Sequence, residues 1–377
     1  MAMMVPSLTG TSLLFRTHAL WLLISTEITS YHKKGGWAMS SVWVGLPGHG
    51  YTIMVGSGLF KPPSDGSLSE RVRGRRCLVV TDRNVGPLYQ AGVRTMLEGA
   101  GAEGVAATSI EPGESSKTLQ TMAELYDAAL DAGLNRGSVV VALGGGVVGD
   151  LAGFLAATYM RGVRCVQVPT SLLAMVDSSV GGKTGVDLPR GKNLVGAFHQ
   201  PSLVLADVDC LKTLPERELR CGLAEVAKYA FIMAHDFYDT LASQAEGLLR
   251  VVPEACETVV QRCCELKTEV VVEDEREGGR RAILNYGHTF GHALETRGGY
   301  AAYRHGEAVA VGMGIAADLS VALGLAPKEL PRRQDELLVA FGLPTRWSLP
   351  DTEADDLIEL MRSDKKSAGR SLRFVLS

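Results

Sequence analysis

The sequence lacks the marks of several protein classes. Its net charge of −4 at pH 7 comes without a basic stripe, so neither a nucleic acid nor a membrane surface is an expected partner. The seven cysteines are scattered, odd in number and without a C-x-x-C spacing, which predicts reduced thiols and a cytoplasmic protein. What is present is a chain of 377 residues, 46% hydrophobic, long enough for two globular domains with a sizeable core.

The first 38 residues differ in character from the rest of the chain. Their apolar run, 19-ALWLLI-24, is too short to cross a bilayer. Neither a basic segment nor an A-x-A cleavage site frames it, so an extension is favoured and a signal anchor is the alternative. We expect residues 1–38 to lie outside the family domains, with Met39 as the working start.

Two hydrophobic patterns divide the remainder. From about Tyr51 to about Asp207, apolar runs such as 77-CLVVTD-82 and 138-SVVVALGGG-146 alternate with helical stretches such as 116–133. This predicts an α/β domain over residues 39–207, with a parallel, Rossmann-like sheet that binds a dinucleotide. After 213-TLPERELRCGLAEVAKYAFI-232 the strand signals end, which predicts a mostly α-helical domain over residues 208–377.

A glycine-rich turn joins one predicted strand to a helix. In 144-GGGVVGD-150 the glycines allow a phosphate to approach, and the helix N-terminus offers unpaired amides and a positive dipole end. A packing turn without a ligand is the alternative, because G-x-G-x-x-G alone is weakly specific and no acid follows about twenty residues later. Asp82 with Asn84, and Glu114 with Lys117, follow other strands toward the same crevice. Together they favour a nicotinamide dinucleotide.

Three of the eight histidines lie close together in the sequence. His288 and His292 are four residues apart in 288-HTFGH-292 and share one helix face, while His305 begins another helical run. Two of them can reach one metal ion, and Glu225, an acid among small apolar residues, is a candidate third ligand. The alternative for Glu225 is a surface ion pair with Lys228.

A series of motifs resembles the 3-dehydroquinate synthase family of the shikimate pathway in both order and spacing. The motifs are 144-GGGVVGDLAGF-154, 168-VPTSLLAMVDSSVGGKTGVD-187, 191-GKNLVGAFHQP-201, 222-GLAEVAKYA-230, 285-NYGHTFGHA-293, 305-HGEAVA-310 and 364-DKK-366. The resemblance runs from about residue 50 to the C-terminus. It implies a divalent metal, zinc or alternatively cobalt, bound by Glu225, His288 and His305. His292 is then available for proton transfer, with a buried core histidine as the alternative.

The resemblance also implies two sets of side chains around the site. The implied NAD contacts are Asp82, Asn84, Glu114, Lys117, Gly145, Gly146, Asp150, Thr170, Ser171 and Lys192. The implied catalytic and substrate-binding residues are Arg161, Asp177, Lys183, Asn193, Lys228, Lys267, Arg281, Asn285, His292, Lys365 and Lys366. Singly, such cations are more often solvated surface charges, and Asp177 has a helix or turn cap as its alternative. As a set they imply an anionic sugar-acid phosphate, held by its carboxylate and its phosphate.

The implied reaction is a cyclisation without net redox change. NAD oxidises the C5 hydroxyl of 3-deoxy-D-arabino-heptulosonate 7-phosphate beside the zinc, phosphate leaves by β-elimination, the ketone is reduced again, and aldol closure gives 3-dehydroquinate. The arginine matching Arg161 reaches the neighbouring subunit's site in the family, which implies a homodimer. The alternatives are a sister cyclase forming an inosose or a valiolone, a zinc polyol dehydrogenase, and a zinc-stabilised interaction protein. The last two leave the cluster of Lys183, Lys267 and Arg281 without a role.

Overall fold

The structure of the protein is a computed structural model that describes residues 39–61, 66–299, 302–348, 354–364 and 374–376. Two expectations lie outside these residues, the extension over 1–38 and the pair Lys365 and Lys366. Within the described part, no helix is both long enough and apolar enough to cross a membrane.

A seven-stranded sheet and a separate hairpin form the first half of the molecule. The strands are β1 (Met39–Val44), β2 (Tyr51–Gly56), β3 (Arg76–Asp82), β4 (Gly104–Ile110), β5 (Val139–Gly144), β6 (Arg164–Pro169), β7 (Lys183–Leu188), β8 (Gly191–Phe198) and β9 (Leu203–Asp207). The large sheet has the order β1-β2-β9-β6-β5-β3-β4, and only β1 runs antiparallel to its neighbour. The predicted parallel α/β sheet is confirmed, and β1, which precedes the alternation near Tyr51, adds an antiparallel edge to it.

Helices cover both faces of this sheet. They are α1 (Ser67–Val72), α2 (Gly86–Gly99), α3 (Leu119–Asp131) and α4 (Gly146–Thr158). Val79 of β3 belongs to the same core cluster as Val93 of α2, whereas Val80 belongs to that of Leu151 of α4. Because both faces are buried, the strands are continuous apolar runs rather than alternating ones.

The carboxyl ends of β3 and β5 lie side by side. Val80 of β3 is in register with Ala142 of β5, so the strand ends Asp82 and Gly144 stand at the same level. The helices that follow these strands, α2 and α4, lie on opposite faces of the sheet. Such a reversal opens a crevice between the strand ends, where open α/β sheets bind their ligands.

The antiparallel hairpin β7–β8 was not part of the predicted fold. It carries Lys183, Lys192 and Asn193, and it rests on α4 at Gly153, where an added Cβ would be 2.4 Å from the Thr184 methyl group. Strand β8 is largely exposed and contains glycines, so it lacks the apolar alternation by which a half-buried strand is recognised.

Beyond β9 the described residues form helices and connecting loops, with no strand among them. The helices are α5 (Glu216–Ile232), α6 (Phe237–Leu249), α7 (Pro253–Glu273), α8 (His288–Arg297), α9 (His305–Ala322), α10 (Leu330–Ala340) and α11 (Ala354–Asp364). The mostly helical second half is confirmed. One apolar cluster runs from Val42, Ile53 and Val204 of the sheet to Val226 of α5 and Val270 of α7. The halves therefore share a core, and the domain boundary at 207/208 stays a prediction.

Candidate active site

Three helices bring the predicted metal ligands together. Helix α5 carries Glu225, α8 begins at His288 and α9 begins at His305. Helix α9 touches the α5 backbone at Gly306, where an added Cβ would be 2.2 Å from the Cys221 carbonyl oxygen. Only glycine permits such a close approach, so this contact places His305 beside Glu225, one turn along α5.

The donor atoms of these ligands converge. The Nε2 atoms of His288 and His305 lie 3.5 and 3.3 Å from Glu225 Oε1. That oxygen is buried without a hydrogen-bond partner, which is costly unless another group satisfies it. Ligands about 2 Å from a tetrahedral ion stand roughly 3.3 Å apart, and three protein ligands leave a position open for substrate. These residues therefore fit a divalent metal of the kind that the sequence implies.

The Nδ1 atom of each imidazole, on the ring side away from Glu225, has a partner of its own. His288 Nδ1 donates to the Tyr286 carbonyl oxygen at 3.1 Å, and His305 Nδ1 faces a carboxylate oxygen of Glu295 at 3.5 Å. Burial lowers the pKa of His288 to about 4. Burial also lowers the pKa of His305, but Glu225 and Glu295 outweigh it and raise that pKa to about 10. Glu295 was not predicted, and its signal was its place three residues after the second histidine of the motif, on the same helix face.

The pair formed by Glu225 and Lys228 is buried, so the surface-pair alternative is wrong. Lys228 Nζ lies 2.5 Å from Glu225 Oε2, and each side chain is 1% exposed. Burial raises the pKa of Glu225, but Lys228 and His288 outweigh it and hold the pKa well below its usual value. Helix α5 is packed on nearly all sides over this stretch, which is why neither charge reaches solvent.

A cleft of about 570 Å³ opens beside the three predicted metal ligands, of which His288 lines it. The predicted site residues that line it are Asp150, Asp177, Lys183, Asn193, Lys228, Lys267, Arg281, Asn285 and His288. The remaining lining residues are Ser178, Val180, Thr184, Leu194, Gly196, Ala197, Phe198, Glu277 and Leu284. A volume of this size suits a small-molecule ligand.

Buried cations form one wall of this cleft. Lys267 Nζ donates to Asp177 Oδ1 at 2.5 Å, and the buried guanidinium of Arg281 donates to the carbonyl oxygens of Gly181 and Glu275. Burial lowers the pKa of Lys267 to about 8 despite Asp177. Burial raises the pKa of Asp177, but Lys267 in particular outweighs it and brings that pKa to about 2. Asp177 is thus an ion-pair partner, and the cap alternative is wrong.

Glu277 adds a carboxylate that was not predicted. It accepts a hydrogen bond from Lys183 Nζ at 2.5 Å and another from Asn285 Nδ2 at 3.0 Å. Lys183 and Asn285 are expected to bind the anionic substrate, so Glu277 lies where a substrate anion is expected. Its only signal was the acidic stretch 273-EDERE-277, which resembles a solvated loop.

The glycine turn leaves the first turn of α4 without a side-chain cap. A Cβ added to Gly144 would be 2.6 Å from a Val148 methyl group, so packing alone requires that glycine. At Gly145 an added Cβ would make only an ordinary contact, 3.5 Å from Ser171 Oγ. The packing alternative accounts for Gly144 and not for Gly145. The open helix start therefore fits a phosphate-bearing dinucleotide.

Lys117 connects this turn to the hairpin. Its buried Nζ lies 2.8 Å from Asp150 Oδ2, 2.5 Å from Asn193 Oδ1 and 3.8 Å from Glu114 Oε1. Burial raises the pKa of Asp150 to about 6, against the opposing effect of Lys117. Four of the predicted residues therefore form one polar network between the sheet and β8.

Other predicted cofactor residues shape the strand ends. Asp82 Oδ1 accepts the amide hydrogens of Asn84 and Val85 at 2.8 and 2.9 Å, which holds the turn after β3. The buried Thr170 donates its amide to the Gly144 carbonyl oxygen at 3.0 Å. These contacts order the crevice before any ligand arrives.

Among the predicted catalytic residues that the structure describes, two lie outside the cleft lining. His292 is exposed, with its ring centre 5.6 Å from that of His288, so the buried-core alternative is wrong. Arg161 is exposed in the turn after α4, with a left-handed backbone of φ 67°. Within one chain, Arg161 is therefore not brought to the substrate cleft.

Solved structures define the class of protein to which this fold and site belong, the sugar-phosphate cyclases. A 2-epi-5-epi-valiolone synthase from Streptomyces hygroscopicus subsp. jinggangensis 5008, with NAD+ and Zn2+ bound, is 31% identical, with a TM-score of 0.76, covering 84% of this chain and 87% of that one. A 2-deoxy-scyllo-inosose synthase complexed with carbaglucose-6-phosphate, NAD+ and Co2+ is 28% identical, with a TM-score of 0.78, covering 88% and 89%. A glycerol dehydrogenase from Schizosaccharomyces pombe, 17% identical with a TM-score of 0.62, over 81% of this chain and 82% of its own, shares the fold alone.

Sequence relatives narrow this class to one family. The 3-dehydroquinate synthase N-terminal and C-terminal family models match residues 107–221 and 222–367. The 3-dehydroquinate synthase of Halorhodospira halophila is 50% identical over 339 residues, which are 90% of this chain and 93% of that protein. The enzyme of the same name from Desulforamulus reducens is 49% identical with the same coverage. The chain belongs to the 3-dehydroquinate synthase family.

Proposed function

We propose that this protein converts 3-deoxy-D-arabino-heptulosonate 7-phosphate to 3-dehydroquinate and phosphate, as a carbon–oxygen lyase acting on phosphates. One observation carries the proposal: a single cleft joins an open three-ligand cluster to a wall of buried cations, beside a dinucleotide crevice. A net dehydrogenase has no need of a double-anion pocket, and a simple lyase has no need of a dinucleotide.

The cofactors are NAD and a divalent metal, with Glu225, His288 and His305 as the metal ligands. When bound, they would supply reversible hydride transfer and the acidification of a substrate hydroxyl. The crevice around Gly145 and Lys117 would hold the nucleotide. The solved relatives support both cofactors, since one contains NAD+ with Zn2+ and the other NAD+ with Co2+.

The cation wall would bind the substrate anions. Lys267 and Arg281 are already held by Asp177 and by backbone carbonyls, so little ordering remains when an anion arrives. Lys183 and Asn285 would exchange the Glu277 carboxylate for a substrate anion. We assign proton transfer to His292, which is exposed with its ring centre 5.6 Å from that of His288, and we assign no side chain as the base for elimination.

We further propose a cytoplasmic homodimer. The seven cysteines, all in the described part of the chain, are buried and unpaired, which supports a reducing compartment. The exposed Arg161 supports a dimer in which it reaches the partner's cleft. Light scattering at assay concentration tests this, and a fully active monomer would refute both the dimer and the shared arginine.

The deciding experiment is a stoichiometric assay with NAD, zinc and the seven-carbon acid phosphate. We expect phosphate and dehydroquinate to appear one for one while NADH absorbance stays flat. Steady NADH accumulation would indicate a dehydrogenase instead. Because a relative at TM-score 0.78 binds carbaglucose-6-phosphate, glucose 6-phosphate and sedoheptulose 7-phosphate are the comparison substrates. Equal or faster turnover of either would assign the protein to a sister cyclase.

A further inference from the structure

The two histidines of the metal cluster are supported by different partners. Both face Glu225 with Nε2, but His288 Nδ1 donates to a neutral backbone carbonyl, whereas His305 Nδ1 faces a carboxylate. A carboxylate behind an imidazole selects the tautomer with Nε2 unprotonated and makes that nitrogen a stronger donor to a metal. His305 is therefore expected to be the stronger donor to a metal, and His288 the weaker one.

Glu295 is buried where it makes this contact with His305. It lies in α8 and its side chain is 7% exposed, with Oε2 3.5 Å from His305 Nδ1 and Oε1 3.9 Å from Lys192 Nζ. Its two carboxylate oxygens therefore lie between an imidazole nitrogen and an ammonium group. A buried charge is retained only where its partners compensate its lost hydration.

We propose that Glu295 is a positioning residue, which orients His305 and strengthens its bond to the metal. The proposal rests on the metal site of the proposed function, because it assigns a role to the carboxylate immediately behind one ligand. Lys192 also contacts the side of the cleft where the nucleotide is expected, which we call the nucleotide edge. Its Nζ lies 3.6 Å from Oε1 of Glu114, a predicted NAD contact. The carboxylate behind the metal ligand is thus linked by one side chain to the cofactor side of the cleft.

The test measures metal affinity directly. Metal-free wild type, Glu295→Gln and Glu295→Asp are titrated with Zn2+ against a chromophoric chelator, and the Co2+-loaded proteins are compared by visible absorption. We expect Glu295→Gln to bind Zn2+ about 10- to 100-fold more weakly and to show a changed Co2+ spectrum. Glu295→Asp keeps the charge at a greater distance and should lose less affinity.

The matched control is Glu275→Gln. Glu275 Oε1 lies 2.9 Å from His49 Nε2, so this change also removes a carboxylate from an imidazole, but away from the three ligands. Its zinc affinity and Co2+ spectrum should equal those of wild type. The unfolding midpoints of the metal-free proteins show whether any variant has lost affinity merely through damage to the fold.

Each outcome decides a different point. Wild type that binds no zinc overturns the metal site and this inference with it. Wild type that binds tightly, with an unchanged constant and spectrum in Glu295→Gln, overturns the role of Glu295 and leaves the metal site standing. If Glu295→Gln does not fold, Glu295→Asp decides: weaker zinc binding with a normal unfolding midpoint supports the role, and wild-type affinity overturns it.

Discussion

The helical wall of the cleft and its nucleotide edge are built in opposite ways. On the helical wall, Lys228, Lys267 and Arg281 are 1%, 4% and 2% exposed, and each is paired with a carboxylate or a carbonyl oxygen. At the nucleotide edge, Glu114 and Lys192 side chains are 43% and 36% exposed. The helical wall buries its charges in pairs, whereas at the nucleotide edge Lys117 and Asp150 form a buried pair and the outer pair, Lys192 and Glu114, is partly solvated. Substitutions in the helical wall should therefore have larger effects than substitutions in this outer pair.

The largest effect is expected at the metal ligands. Glu225→Gln, His288→Ala or His305→Ala should each abolish bound zinc and turnover together, because three ligands are the minimum for tight binding. His292→Ala should keep the metal and lose rate. Metal analysis together with the phosphate-release assay checks both, and full zinc in purified His288→Ala would contradict the ligand assignment.

Removing the buried ammonium should destabilise the fold. Lys228→Met leaves Glu225 buried without its counter-charge, so the free energy of unfolding of the metal-free protein should fall by about 3–5 kcal/mol. The matched change at the nucleotide edge, Lys192→Met, should cost about 0–1 kcal/mol because that lysine is partly solvated. Urea unfolding measures both values. Equal losses would erase the contrast between the two walls.

Arg281 should affect catalysis strongly. Arg281→Ala should lower kcat/KM by a factor equivalent to about 2–5 kcal/mol, if Arg281 holds a buried substrate carboxylate. The control is its neighbour Arg280→Ala, whose side chain is 38% exposed and paired with Glu273 at the surface. Steady-state kinetics decides the point. An Arg281→Ala enzyme with the kcat/KM of Arg280→Ala would remove the guanidinium from the substrate pocket.

A more gradual effect is the pH dependence of kcat/KM that we expect from Lys267. Its pKa in the folded protein is about 8, so its positive charge is lost above that pH and kcat/KM should fall by about tenfold per pH unit. Lys267→Arg should remove this decline, because a guanidinium stays protonated. Burial raises the pKa of the Cys256 thiol to about 11, so that thiol does not titrate in this range. The same decline in Lys267→Arg would assign it to another group.

The free energy of unfolding should change with pH in the opposite direction to kcat/KM, because of the same lysine. The folded pKa of about 8 lies below the ordinary value of 10.5, so the unfolded chain binds more protons between these values. The free energy of unfolding of the wild type should therefore rise relative to that of Lys267→Met as pH increases from about 8 to 10.5. Denaturant unfolding across this pH range measures the difference.

The predictable parts of the site lie on single segments. The four-residue spacing of His288 and His292 is a local property of a helix, and both residues lie in α8. The strand that ends at Asp82 and the glycine turn after Gly144 were likewise visible, because a run of apolar residues followed by glycine is a short-range signal.

The residues that escaped prediction act through contacts between distant segments. Glu277 lies in an acidic stretch that resembles a solvated loop, until Lys183 of β7 is placed against it. Glu295 ends a helix motif, and only the positions of His305 on the next helix and of Lys192 on β8 give it partners. The hairpin β7–β8 has too little apolar alternation to be recognised before α4 is packed beneath it.

Sequence by itself determined the family and most types of element and predicted the ligand set, because helical period, strand pattern and motif order are all properties of neighbouring residues. Tertiary structure alone decided which charges are buried and which carboxylate stands behind which imidazole. The physical reason is the close packing of helices: Gly306 meets the Cys221 carbonyl oxygen, where an added Cβ would be 2.2 Å away, and thereby sets His305 against Glu225. Such a contact joins residues some eighty positions apart, and no local pattern in the chain encodes the distance between them.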